Sequence, residues 1–189
     1  MIKPRFLLGA FIVMLLISSA RCWGAPSTAD PFSLDGCSFD IEDMAGGHYD
    51  FTWGHSVVTG NYSYVDSPED DPYTGATFFC GTRWRKDPIT AFLGAREING
   101  RWIAADTGEP LDAARNITSY FLSGSNWVGY GYAIDDNGYE MDRMFKFCLH
   151  EQIWHQTLCI SAPLLRQNAN QLNDLLTVIK SIKFKKPLE

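Results

Sequence analysis

Strict alternation of apolar and polar positions marks the second half of the chain. Phe145, Phe147 and Leu149 alternate with Lys146, Cys148 and His150, and Leu158 and Ile160 alternate with Thr157 and Cys159. A period of two sends successive side chains to opposite faces of a strand. Folding the two runs as an antiparallel hairpin with Leu149 facing Leu158 brings Phe147 opposite Ile160. The same register sets Cys148 against Cys159, so one pairing buries an apolar face and joins two sulfurs.

Further β-rich runs cover Cys37 to Ile41, Ala76 to Trp84, Arg96 to Ala104, Asn116 to Leu122, Asn126 to Ile134 and Met141 to Leu149. Asn99-Gly100 between Ile98 and Trp102-Ile103 suits the positive φ values of a type I′ hairpin turn. Asp135-Asp136-Asn137-Gly138 reads as another turn. Several such runs separated by turn residues predict an antiparallel sheet. Gly46 to Pro72 is the least regular stretch. Its segment from Asp66 to Pro72 carries four acids and two prolines in seven positions and reads as a stiff exposed loop.

The period then changes. Ala169, Leu172, Leu175, Leu176 and Ile179 form one stripe at helical spacing. Asn168 is placed to cap this helix, with Gln171 three residues on completing a capping box. Ile182 and Phe184 alternate with Lys183 and Lys185, which predicts a short final strand. The expected fold is α+β: a twisted antiparallel sheet with the C-terminal helix packed on one face, held by two disulfides. Trp127, Gly129 and Gly131 share one strand face, and the helix is expected to lie on that glycine strip.

The N-terminus has the layout of a secretory signal peptide: Lys3 and Arg5, the apolar run Phe6 to Ile17, then Ser18, Ser19 and Ala20. As a helix that run rises about 18 Å, short of the roughly 30 Å hydrocarbon core. Cleavage fits after Ala20, Cys22 or Gly24, and Arg21 argues against a lipidated Cys22. Residues 1–24 are thus read as the signal, 25–35 as a flexible lead-in and 36–186 as a single α+β domain. A periplasmic or secreted location follows, with no stable membrane insertion once the signal is gone.

Export changes the reading of the cysteines. Cys37, Cys80, Cys148 and Cys159 remain, an even count for an oxidising compartment. The hairpin register selects Cys148–Cys159, and elimination leaves Cys37–Cys80. A four-thiolate metal site is disfavoured, because no close cysteine pair is present. The 189 residues have a formal charge of −6, with 46% hydrophobic and 14% aromatic content. Removing Lys3, Arg5 and Arg21 makes the product more acidic still. That balance opposes nucleic-acid binding, which needs clustered Lys and Arg.

Candidate chemistry is sparse. His150-Glu151-Gln152-Ile153-Trp154-His155 approaches the H-E-x-x-H zinc motif, but its histidines are five apart and fall at a hairpin tip. Asp135 to Glu140 lacks the length of a calcium loop. No G-x-S-x-G elbow supports a nucleophile. Neither a metal nor a cofactor is expected, and a non-enzymatic protein is favoured. Asn61-Tyr62-Ser63 and Asn116-Ile117-Thr118 match the N-glycosylation pattern. Asp66, Glu69, Asp70, Asp71 and Tyr73, with neighbouring Tyr62 and Tyr64, form the candidate partner-binding surface. Acids there would steer a basic partner, and tyrosines suit recognition surfaces.

The segment Phe147-Cys148-Leu149 to Leu158-Cys159-Ile160, the following helix and the ending Ile179-Lys180-Ser181-Ile182-Lys183-Phe184 resemble the C-terminal part of small exported bacterial proteins of the PsbP/DcrB-like kind. Similar endings occur in periplasmic immunity proteins that accompany interbacterial toxins. The resemblance covers about a quarter of the chain and carries over no functional residue. Acidic charge, export, paired cysteines and the missing catalytic motifs point to a non-enzymatic binding protein, an immunity-type inhibitor of a secreted toxin, with a basic protein as the expected partner. The rival classes are a hydrolase of cell-wall or extracellular polymer and a small-ligand carrier.

Overall fold

The computed structural model describes residues 33–34, 37–53, 58–64, 75–80, 87–111, 116–135, 143–164 and 170–187. The signal segment 1–24 lies outside them. In chain order the strands are β1 (Ser33–Leu34), β2 (Cys37–Ile41), β3 (His48–Trp53), β4 (Val58–Ser63), β5 (Gly75–Cys80), β6 (Ala95–Ile98), β7 (Arg101–Ala104), β8 (Asn116–Ser123), β9 (Trp127–Asp135), β10 (Met144–Glu151), β11 (Thr157–Pro163) and β12 (Ile182–Phe184). The helices are α1 (Pro88–Leu93) and α2 (Gln171–Ser181). Among the described residues no helix is long and apolar enough to cross a membrane.

A seven-stranded antiparallel sheet in the order β3-β4-β5-β11-β10-β9-β8 forms the body. Its central pair has the expected register: Phe147 opposite Ile160, Cys148 opposite Cys159, Leu149 opposite Leu158. The first face presents Phe78, Phe145, Phe147, Leu149, Leu158 and Ile160, all fully buried. Each contributes about 1.5–3 kcal/mol relative to exposure. They pack against a three-stranded sheet, β1-β2-β12, and against Leu175, Val178 and Ile179 of α2. Phe39 of β2 stacks on Phe78 at 6.4 Å between centroids. The helix therefore covers one face, as the apolar stripe requires, but shares it with the small sheet.

The second face is also covered. Cys148, Cys159, Tyr132 and Ile134 lie beneath Leu93 of α1 and beneath Ala95 and Trp102 of the β6–β7 hairpin. That hairpin turns at Asn99 (φ 52°) and Gly100 (φ 83°), as the Asn-Gly pair predicts. The six-residue α1 was not read from the sequence. Asp87 caps it by accepting from Thr90 N at 3.1 Å, Pro88 opens it, and Gly94 closes it with φ 67°.

Both disulfides are present. Cys148–Cys159 bridges directly opposed residues on the second face, with Cα atoms 4.1 Å apart. Cys80 sits opposite Leu158 on the first face and bonds Cys37 of β2, Cα atoms 5.7 Å apart. One staple locks two neighbouring strands; the other fastens the small sheet to the large one. Two amides reinforce the second junction. Gln156 accepts from Ser38 N at 2.6 Å and donates to Lys185 O at 2.7 Å. Asn126 donates to Phe184 O at 2.8 Å and accepts from Phe184 N at 3.2 Å, serving β12 as a short strand would.

Several local expectations are corrected. The stretch from Gly46 to Pro72 contains the hairpin β3–β4, paired from His48↔Ser63 to Trp53↔Val58. Within the 25–35 lead-in, Ser33–Leu34 forms β1 and Leu34 is fully buried. Helix α2 starts at Gln171, and its N-cap residue Asn170 makes no side-chain cap bond. Gln171 instead turns inward and donates to Pro163 O at 2.8 Å; Asn168 lies outside the described residues. The glycine strip on β9 is filled from within the sheet. A Cβ on Gly129 would meet Cε1 of Phe147 at 2.6 Å, so the absent side chain is the seat of that ring. Trp127 donates its indole N–H to Ile182 O at 2.7 Å, which ties the strip to β12.

Candidate interaction surface

One end of the large sheet is built by the β10–β11 tip and the β8–β9 turn. Glu151 N donates to Gln156 O at 2.9 Å and closes the tip loop. The Glu151 side chain is fully buried and accepts from Ile153 N at 2.6 Å and from Trp154 N at 2.7 Å. Charge-assisted bonds to backbone amides are among the stronger kinds, so this carboxylate holds the loop in one shape. The loop then presents Ile153, 72% exposed, and Trp154, 37% exposed. His155 completes the turn with φ 55°.

Beside the tip, His150, Val128 and Ser123 stand opposite one another across β10, β9 and β8. Cys148, Tyr130 and Phe121 form the next row of the same face. Val128 is 52% exposed and Phe121 65%. Of the five exposed large hydrophobic residues among those described, four therefore gather at this end; Ile98 is the fifth. Apolar side chains collected in one place, rather than scattered, are the mark of an interaction site.

The floor beside this patch is firm. Trp102 stacks on Tyr130 at 6.3 Å and tilts against Tyr132 at 4.6 Å. The Trp102 indole donates to Ser119 Oγ at 2.9 Å, and Tyr132 OH donates to Leu93 O at 2.6 Å. Burial raises the pKa of Tyr130, with the charge of Asp87 adding to it. Lys146, half-buried on this face, reaches Phe92 O at 3.4 Å, and burial lowers its pKa.

The zinc-like motif resolves into structure. His150 Nδ1 is 3.1 Å from Thr157 Oγ1, and its ring stacks on His155 at 6.5 Å. Glu151 has both oxygens on backbone amides, so its carboxylate is committed to the loop rather than aimed at a bound water. Asp135 accepts from Arg143 Nε at 2.8 Å, while the rest of that turn, residues 136–140, lies outside the described residues.

The acidic loop, Asp66, Glu69, Asp70, Asp71 and Tyr73, also lies outside the described residues. Its expected neighbours Tyr62 and Tyr64 do not form a recognition surface. Both are buried, because alternation along β4 and just beyond it turns them to the core face. Tyr62 OH donates to Met44 O at 2.8 Å. Burial, helped by Asp174 and Asp43, pushes its pKa up to about 12, and burial raises that of Tyr64 as well. Of the two glycosylation patterns, Asn61 is in an inner strand paired on both sides, whereas Asn116 is exposed at the start of β8.

The exposed patch was not anticipated, though the sequence holds a signal for it. Ile153-Trp154 places two large apolar side chains in a predicted hairpin tip, where little core is within reach. Tyr120-Phe121-Leu122 places apolar residues on both faces of an edge strand. No protein-family model matches the chain, and no curated protein matches it.

Proposed function

We propose that this chain is an exported, non-enzymatic protein-binding module of immunity type, which occludes a secreted basic toxin. The observation that carries the reading is the patch of Phe121, Val128, Ile153 and Trp154 on a framework fixed by two disulfides and a buried carboxylate. A rigid loop carrying a tryptophan and an isoleucine loses little freedom when it docks, and aromatic anchors dominate many protein interfaces. The acidic loop would add steering: Asp66, Glu69, Asp70 and Asp71 speed the approach of a basic partner without setting the final contact. The commitment of Glu151 to the tip loop weighs against a zinc-protease use of the segment from His150 to His155.

The test is capture from the exported fraction of the native producer, using the mature protein and a Val128→Ser/Ile153→Ser/Trp154→Ser variant as paired baits. The expected result is a basic protein held by the parent and lost by the variant, whose toxic activity falls in an equimolar mixture. Equal capture by both baits would remove the patch from the interface. A captured protein whose activity is unaffected would refute the inhibitor role.

A further inference from the structure

We propose that β8 is a dimerisation edge, on which two copies of this chain pair their β8 strands antiparallel about a two-fold axis at Tyr120. The large sheet ends on β3 at one side and β8 at the other. Edge strands expose unpaired N–H and C=O groups, and proteins guard them with charge, proline or cover. β3 carries the exposed pair His48–Asp50, Nε2 to Oδ2 3.4 Å. β8 reads Asn-Ile-Thr-Ser-Tyr-Phe-Leu-Ser, with neither charge nor proline. Among the described residues only β9 pairs with it, and Thr118, Ser119, Phe121 and Ser123 are exposed.

The direction of the free groups follows from the turn. Gly124 N donates to Trp127 O at 3.0 Å, which makes these two a hydrogen-bonded pair. Bonded and non-bonded pairs alternate in an antiparallel ladder, so Leu122, Tyr120 and Thr118 bond to β9. Ile117, Ser119, Phe121 and Ser123 then point their N–H and C=O groups outward. An axis at Tyr120 pairs Ile117 with Ser123 and Ser119 with Phe121 across the two copies. All four outward residues of each strand are used, for about eight hydrogen bonds. An axis moved one residue along would leave an outward residue without an opposite number.

Two features select a second copy as the occupant. The chain has a formal charge of −6, so two copies can meet edge to edge only where charge is absent, and β8 supplies eight residues of that kind. The pairing is also self-complementary. It sets the 65% exposed ring of Phe121 opposite Ser119, beside the Trp102 indole bonded to that serine, and symmetry repeats the contact. Phe121 belongs to both surfaces, but Val128, Ile153 and Trp154 lie outside β8, so substitutions at those three test the partner surface without touching the dimer edge.

Sedimentation velocity of the oxidised mature protein at micromolar concentration tests this. The parent is expected to sediment as a dimer. Phe121→Pro removes one outward N–H per copy while leaving the β9 ladder intact, and the two lost hydrogen bonds should weaken the dimer roughly thirtyfold. Phe121→Lys sets a charge on each side of the axis and should also yield monomers, with circular dichroism unchanged. A parent that is monomeric throughout overturns the proposal, as does a dimer that Phe121→Lys leaves intact.

Discussion

Replacing Gln156 tests how the two sheets are joined. Its side chain is almost fully buried, and its amide is the partner of Ser38 N–H on β2 and of Lys185 C=O just past β12. Gln156→Ala removes two neutral hydrogen bonds, about 1 kcal/mol each, and leaves the buried Ser38 N–H unsatisfied at about 1–3 kcal/mol. The expected loss is about 3–5 kcal/mol. Gln156→Glu gives a sharper contrast, since a carboxylate still accepts from Ser38 but turns lone pairs toward the Lys185 carbonyl. Only the protonated acid restores the donor. Its folded-state pKa therefore rises above the usual value of about 4.3. Below the unfolded value both states are protonated and the variant is close to the parent; its deficit grows as pH rises above that point. Urea unfolding of the oxidised protein, followed by circular dichroism from pH 4 to 7, measures both effects. A Gln156→Ala variant within about 0.5 kcal/mol of the parent would refute this reasoning, and so would a Gln156→Glu deficit independent of pH.

Loop closure ranks the two disulfides. With separations of 43 and 11 residues, Cys37→Ala/Cys80→Ala should cost about 4 kcal/mol and Cys148→Ala/Cys159→Ala about 3 kcal/mol. Chemical denaturation of the two variants checks the order, which a greater loss at the hairpin pair would reverse. Gly129→Ala forces a methyl against the Phe147 ring and Cys148 O and should lower stability by about 2 kcal/mol, partly recovered with Phe147→Leu. A neutral Gly129→Ala variant would show that the ring is not seated there. Tyr49, Tyr62 and Tyr64 all have raised pKa values through burial. They stabilise the fold fully below the unfolded value of about 10, and that contribution is lost as pH rises beyond it. The tyrosinate absorbance of these three, out of eight tyrosines in the chain, should thus appear together with loss of circular dichroism; all eight titrating near pH 10 in the folded protein would contradict their burial.

The sequence and the structure agree most closely where two local signals coincide. Phe147, Leu149, Leu158 and Ile160 require one register, and Cys148 with Cys159 require the same one. Asn99-Gly100 needed no tertiary help, because its positive φ values are intrinsic to those residues. The hairpin β3–β4 was hidden by its glycines. Tyr49, Phe51 and Trp53 alternate properly, but Gly60 and Asn61 in the facing run read as loop. Gly60 is in fact where the Tyr49 ring lies, so a residue that weakens a strand in isolation is required by its neighbour. The short α1 gave only Asp87-Pro88 and Gly94 as signals, with too few residues between them to show a period. The surface patch was harder still. Exposure of Phe121 and Val128 depends on how far the β6–β7 hairpin extends over the second face, a tertiary fact with no local signature.

The proposed export into an oxidising compartment is the premise on which the two disulfides and the proposed partner surface are read together. Intact-mass and peptide-mapping mass spectrometry of the protein from its native producer measures both together. The expected species begins just after one of the cuts at residues 20–24, carries no free thiol among Cys37, Cys80, Cys148 and Cys159, and yields the cross-linked peptides Cys37–Cys80 and Cys148–Cys159. A chain that still begins at Met1, or four cysteines open to alkylation, would contradict it.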